Sequence, residues 1–150
     1  MNININIVMD GSGSMSENGK VSIMKYIINS AEGYSEEEGT ITLSLYQWGD
    51  KIEPLNDLAE FRIQDVNSEG DIAEFVNKHM GEKILILSDG GFSIKTKMAV
   101  RGMQGKENVF CIGVGCDCNF PAIRSLIDDK NIFKPQDIIN CLQVMSYKEK

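Results

Sequence analysis

The chain has 150 residues, 42% hydrophobic and 25% charged, enough for one domain with its own core and too few for two. The 15 basic against 22 acidic residues leave a net charge of −7, which repels polyanions, and no Lys/Arg cluster offers a local exception, so no nucleic-acid partner is expected. No apolar run reaches the roughly 20 residues of a membrane span, and the first residues lack the charged start and long apolar core of a secretory signal; a cytoplasmic protein with reduced thiols and no membrane association is the expectation.

Ile3, Ile5 and Ile7 alternate with Asn2, Asn4 and Asn6, a period of two that predicts a strand, fully apolar by Val8-Met9. The asparagine stripe also predicts a thinly covered sheet face, because a central strand covered on both sides is normally apolar on both. After the loop Asp10-Gly11-Ser12-Gly13-Ser14-Met15-Ser16, apolar residues Val21, Met24, Ile28 and Ala31 predict a helix over 17–33. Residues 35–39 (SEEEG) read as an acidic solvated turn. Residues 40–48 alternate again and predict a strand, followed by a short one around 51–54 whose Pro54 places it at a sheet edge.

Residues 71–80 predict a short helix with Ile72, Phe75 and Val76 on one face. The run Ile84-Leu85-Ile86-Leu87 suits a strand buried on both faces, ending at Ser88-Asp89-Gly90. A helix over 93–103, a strand over 108–115, a helix over 120–128, a short strand over 131–134 and a closing helix over 136–145 complete the series. Alternation of this kind predicts an α/β fold, a single domain over 1–150 with a doubly wound, mostly parallel sheet. In such sheets ligands bind beyond the carboxyl ends of the strands, at the switch point. Asp10 and Asp89 both end buried-looking strands, so they converge on one crevice if those strands are neighbours.

Three chemistries compete for the Asp10–Ser16 loop. A phosphate loop requires G-x4-G-K-[ST]; in the nearest match Ser14 replaces the first glycine and Val21 the hydroxyl, and a dinucleotide fingerprint fails at Ser16. Serine catalysis lacks a partner, since the only histidine, His79, lies in a predicted helix as a surface or packing residue. A metal seat fits. Mg2+ takes hard oxygen ligands, and Asp10-x-Ser12-x-Ser14 puts three on one tight loop while Asp89 adds a second carboxylate. Helix capping by Ser14 or Ser16 is the competing structural role. The cysteines Cys111, Cys116, Cys118 and Cys141 lack zinc spacing and read as structural or incidental.

Asp10-Gly11-Ser12-Gly13-Ser14-Met15 resembles the DxSxS motif of von Willebrand factor type A (vWA) domains. Residues 84–90 (ILILSDG) are similar to that family's strand end before its second acidic loop, and residues 109–115 (VFCIGVG) to its next buried strand. The likeness runs in order along almost the whole chain and points to a compact intracellular variety. It implies a Rossmann-like vWA fold and a metal-ion-dependent adhesion site (MIDAS). In that site Ser12 and Ser14 bind Mg2+, or Mn2+ or Ca2+ in its place, directly, while Asp10 and Asp89 act mainly through water. It also implies a protein partner whose Asp or Glu completes the ion's shell. The family's usual threonine loop departs here: in Ser68-Glu69-Gly70-Asp71-Ile72, Gly70 stands at the threonine position. Asp71 and Ser68 are candidate substitutes, although capping the helix that follows is the preferred role for Asp71.

The resulting expectation is a non-enzymatic, metal-ion-dependent adaptor, in the manner of intracellular relatives that serve larger assemblies, including ATPase-containing ones. The alternatives are a structural interaction domain with a metal-free site and a metal-dependent phosphohydrolase.

Overall fold

The computed structural model describes residues 2–64, 71–91, 96, 98 and 105–147. The alternating first segment forms β1 (Ile3–Asp10), and a loop with one 3-10 turn (Gly13–Ser16) leads to α1 (Lys20–Glu38). Then come β2 (Ile41–Trp48), β3 (Ile52–Leu55), α2 (Asp71–Lys78), β4 (Lys83–Ser88) and β5 (Val109–Gly113). The chain closes with α3 (Phe120–Arg124), β6 (Ile132–Phe133) and α4 (Ile138–Ser146). The strands form one sheet of order β3-β2-β1-β4-β5-β6, all pairs parallel except β2 with β3.

This is the doubly wound α/β sheet that the alternation of elements predicts, with one antiparallel edge. Its order reverses between β1 and β4, so the switch point lies where those two strands end. Asp10 and Asp89 therefore meet, because their strands are hydrogen-bonded neighbours.

Period-two alternation divides the core. Ile5, Ile7, Met9, Leu85, Leu87, Phe110 and Ile112 pack with Met24, Ile27 and Ile28 of α1 and Cys141, Leu142 and Met145 of α4. On the other face Val8, Ile84, Ile86, Val109 and Cys111 pack with Ile72, Phe75 and Val76 of α2 and with Ile123 of α3. Both faces are covered, as a parallel sheet requires.

The asparagine stripe lies on the second face, and its cover is graded: Asn2 is exposed, Asn4 half-buried and Asn6 fully buried. The polar groups of Asn4 and Asn6 are paired. The Asn6 side chain donates to the Lys83 carbonyl (3.3 Å), that of Asn4 donates to Glu82 (2.5 Å), and Ser44 Oγ donates to Asn4 Oδ1 (3.3 Å). His79 Nδ1 lies 2.9 Å from Glu82 Oε2, and its ring packs on Phe75 and Tyr46, in keeping with a packing role. The Asn4 hydrogen bond leads in holding Glu82 below its ordinary value of 4.5, against burial and with help from His79. A lowered folded-state pKa means that stability from this group is present above the unfolded value and fades as pH falls through the folded one. Glu82→Gln is thus expected to melt below wild type at pH 7, with the gap closing below about pH 4.5 in paired thermal denaturations.

Several helix boundaries differ from the sequence expectation. α1 begins at Lys20 rather than 17 because Asn18 (φ 53°) and Gly19 (φ 72°) turn the chain through left-handed backbone. It continues through Glu36–Glu38 to a left-handed Gly39, so the predicted acidic turn is its last turn. α3 is shorter than predicted, ending at Arg124, and the predicted 93–103 helix falls almost wholly outside the described residues. Among the described residues no helix is long and apolar enough to cross a membrane.

Candidate functional site

The loop after β1 is held by its backbone. Gly11 N–H donates to the Trp48 carbonyl (2.9 Å), Gln64 N–H to the Gly11 carbonyl (2.9 Å), and Met15 N–H to the Ser12 carbonyl (3.0 Å) while the Met15 side chain is buried. Neither Ser14 nor Ser16 caps α1, whose N-cap is Gly19, and Ser12 makes no side-chain cap bond to the 3-10 turn. The Ser12 and Ser14 hydroxyls instead face one another, with their oxygens 3.5 Å apart.

Asp10 is completely buried beneath them. Its Oδ1 accepts Ser12 N–H (2.9 Å) and its Oδ2 accepts the Ser88 hydroxyl (2.7 Å), which in turn accepts Gly90 N–H (3.1 Å). Burial raises the Asp10 pKa; the bonds from Ser12 and Ser88 oppose this and Asp89 adds to it. Asp89 enters from the end of β4 with 7% exposure, its Oδ1 accepting Gly91 N–H (3.0 Å) and its carboxylate also bonded by Ser14. Gly90 (φ 82°) makes the turn in left-handed backbone, where a Cβ would stand 2.6 Å from the Asn119 carbonyl oxygen; only glycine fits.

Sequence reasoning missed a third charged element. Lys20, the first residue of α1, is 1% exposed and reaches into the crevice. Its Nζ lies 2.9 Å from Asp89 Oδ2, 3.0 Å from Asp117 Oδ1 and 3.1 Å from the Ser14 carbonyl. Gly115 makes room for its stem, since a Cβ there would stand 2.7 Å from Lys20 Cε. Burial works against the ammonium, but the bonds and charges of Asp89 and Asp117 outweigh it and keep Lys20 protonated. For Asp89, burial likewise works against the charged form, and Lys20, Ser14 and Gly91 together hold its pKa below the usual carboxylate value. One signal for Lys20 was in the sequence. A lysine in the first turn of a helix meets the positive end of the dipole, which is unfavourable without an acidic partner.

The four residues expected at the site, Asp10, Ser12, Ser14 and Asp89, thus stand together. Asp71 is the first residue of α2. Ser68 and Gly70 lie outside the described residues.

The oxygens suit a hard cation. Two ligands at right angles on an ion with metal–oxygen bonds of about 2.1–2.4 Å lie roughly 3.0–3.4 Å apart. The serine oxygens need to close only slightly from 3.5 Å. Among the described residues no group of three His, Cys, Asp or Glu side chains is placed to hold a metal.

Comparison with solved structures decides what this architecture is. The manganese-loaded TRAP protein of Plasmodium vivax superposes with a TM-score of 0.71 at 14% identity, covering 99% of this chain and 74% of that one. A von Willebrand factor type A structure from Catenulispora acidiphila matches with a TM-score of 0.63 at 14% identity, over 96% of this chain and 42% of its own. The chain has the vWA fold. The proximal thread matrix protein 1 of the mussel byssus, with a zinc-occupied MIDAS motif, matches with a TM-score of 0.63 at 14% identity, over 95% and 45%. The chain spans about half the length of the mussel proteins it matches. No family model matches the sequence, and no curated protein matches it. On this vWA fold the Asp10–Asp89 crevice occupies the switch point, the general ligand address of open α/β sheets.

Proposed function

We propose that this vWA-fold chain is a metal-ion-dependent protein interaction module, an adaptor rather than an enzyme. The observation that carries the reading is the pair of Ser12 and Ser14 hydroxyls, 3.5 Å apart and unused as helix caps, above the carboxylates of Asp10 and Asp89. Ser12 and Ser14 hold Mg2+ or a similar divalent ion such as Mn2+ or Ca2+, with Asp10 and Asp89 behind them. When bound, the ion supplies a positive charge with an open ligand position, which an Asp or Glu of the partner fills. The metal-loaded TRAP and mussel structures on the same fold support a divalent ion here.

The non-enzymatic reading is supported by the side chains around the crevice. Cys118, near Asp89, has its thiol pushed up to about 11 by burial and by the charges of Asp89 and Asp117, so it is no ready nucleophile. Lys20 is charged and saturated by acceptors, so it is no general base.

One observation favours a second reading, a structural interaction domain without metal: the Lys20 ammonium already neutralises Asp89. Calorimetric titration with Mg2+ and Mn2+ separates the two. The proposed function expects saturable 1:1 binding, and affinity capture from the native cell that is lost on chelation. Absence of binding at millimolar ion, with capture indifferent to chelator, leaves the metal-free domain.

A further inference from the structure

We infer that Lys20 is a resident counter-ion that competes with the divalent ion for Asp89, which lets the site fold empty and limits how tightly it fills. The inference deepens the ion-binding reading above and rests on it.

The geometry begins with the charges. Asp10 and Asp89 are both buried, from neighbouring strand ends, and without compensation two such carboxylates repel one another and lose hydration. The described chain contains its own remedy. The Asn18-Gly19 turn starts α1 so that its first side chain runs inward, Gly115 leaves space for the stem, and Nζ meets Asp89 at 2.9 Å. Asp117 (50% exposed) and the Ser14 carbonyl occupy the ammonium's other donors, so the group is fully paired. This is a saturated position rather than a passing surface contact.

Such an ammonium has two consequences for a divalent ion. The ion and Nζ both draw on Asp89, and the two cations repel across a few ångströms in a partly dehydrated crevice. Ion affinity is therefore lower than the oxygens alone would give. The second consequence concerns the partner. Asp10, Asp89 and Asp117 against Lys20 leave the crevice negative; a divalent ion brings that set to neutrality, whereas without the ammonium the loaded crevice would stay negative and repel an incoming carboxylate. Lys20 thus trades ion affinity for acceptance of an acidic partner.

Lys20→Gln keeps N–H donors toward Asp89 without the charge, and Lys20→Met removes both. Calorimetry with Mn2+ is expected to show both variants binding about tenfold or more tighter than wild type. Their melting temperatures are expected to fall further on chelation from the same Mn2+ concentration than that of wild type does. Equal or weaker Mn2+ affinity in both variants, with wild type binding, overturns the competition and leaves the ion site standing. No binding by wild type or either variant at millimolar Mn2+ removes the ion-binding reading itself. If a variant is unfolded without ion, refolding by Mn2+ supports the inference. A pair that stays unfolded in Mn2+ overturns it, because an ion able to replace the ammonium would restore the fold.

Discussion

Replacing Ser12 and Ser14 together by alanine is expected to lower Mn2+ affinity by at least about 100-fold while leaving the melting temperature within a few degrees of wild type. The first half follows from the donor set. Loss of an outer-shell partner typically costs roughly 10–100-fold in metal affinity, and here both hydroxyls that face the ion position are removed at once. The second half follows from how the loop is held. Its shape is held by backbone bonds from Gly11, Met15 and Gln64 and by the buried Met15 side chain, which alanine leaves in place, while Asp10 and Asp89 lose the serine hydroxyls but keep their other donors. Neither hydroxyl caps a helix, so the usual cost of about 1 kcal/mol for deleting a cap is absent. Calorimetry paired with thermal denaturation checks both halves. Undiminished ion binding in a folded double variant would mean that the ion sits elsewhere.

The contrast between Asp10→Ala and Asp10→Asn carries the second large effect. Alanine strands two donors that the carboxylate now accepts, Ser12 N–H and the Ser88 hydroxyl, beneath a completely buried position. Unsatisfied buried donors cost about 1–3 kcal/mol each, so a loss of roughly 2–4 kcal/mol is expected for Asp10→Ala in denaturant unfolding. Asparagine keeps an acceptor for Ser12, and its amide can donate to the Ser88 oxygen, so Asp10→Asn is expected to lose less stability than Asp10→Ala in the same measurement. Both variants lose ion affinity, because a neutral amide no longer balances a divalent charge. A stable Asp10→Asn that binds Mn2+ as well as wild type would remove Asp10 from the ion's surroundings and leave it a purely structural acceptor.

Much of this was legible in the sequence, for identifiable reasons. The isoleucine alternation of β1 and the four apolar residues of β4 each fix a strand type, and alternation with helices fixes a parallel sheet. Those two strand ends bring Asp10 and Asp89 together without any knowledge of side-chain contacts. The boundaries of α1 were less legible. Its start is set by two left-handed residues, and its end carries three glutamates where the helix dipole favours cations. Lys20 could not be placed from its neighbours, because its partners Asp89 and Asp117 stand 69 and 97 residues away. In isolation a lysine at a helix start reads as solvated. Ser88 was hidden in the same way: beside Asp89-Gly90 it reads as a turn residue, and only the pairing of β4 with β1 makes its hydroxyl a hydrogen-bond donor to Asp10. The pairing of the Asn6 amide likewise depended on the Lys83 carbonyl of β4, which nothing local to β1 announces.

The sheet's margins have a bearing on how any partner can approach. One margin is β3, four residues with Pro54 in the middle; the other is β6, only two residues long. Neither offers the uninterrupted ladder of free amides and carbonyls on which a foreign strand would zip up, so recruitment by β-augmentation is poorly served here, as is stacking of copies edge to edge. Recognition is thereby directed away from main-chain templating, which tolerates almost any extended peptide. Under the proposed function it falls instead to side-chain chemistry at the carboxyl end of the sheet, where selectivity depends on a few charges.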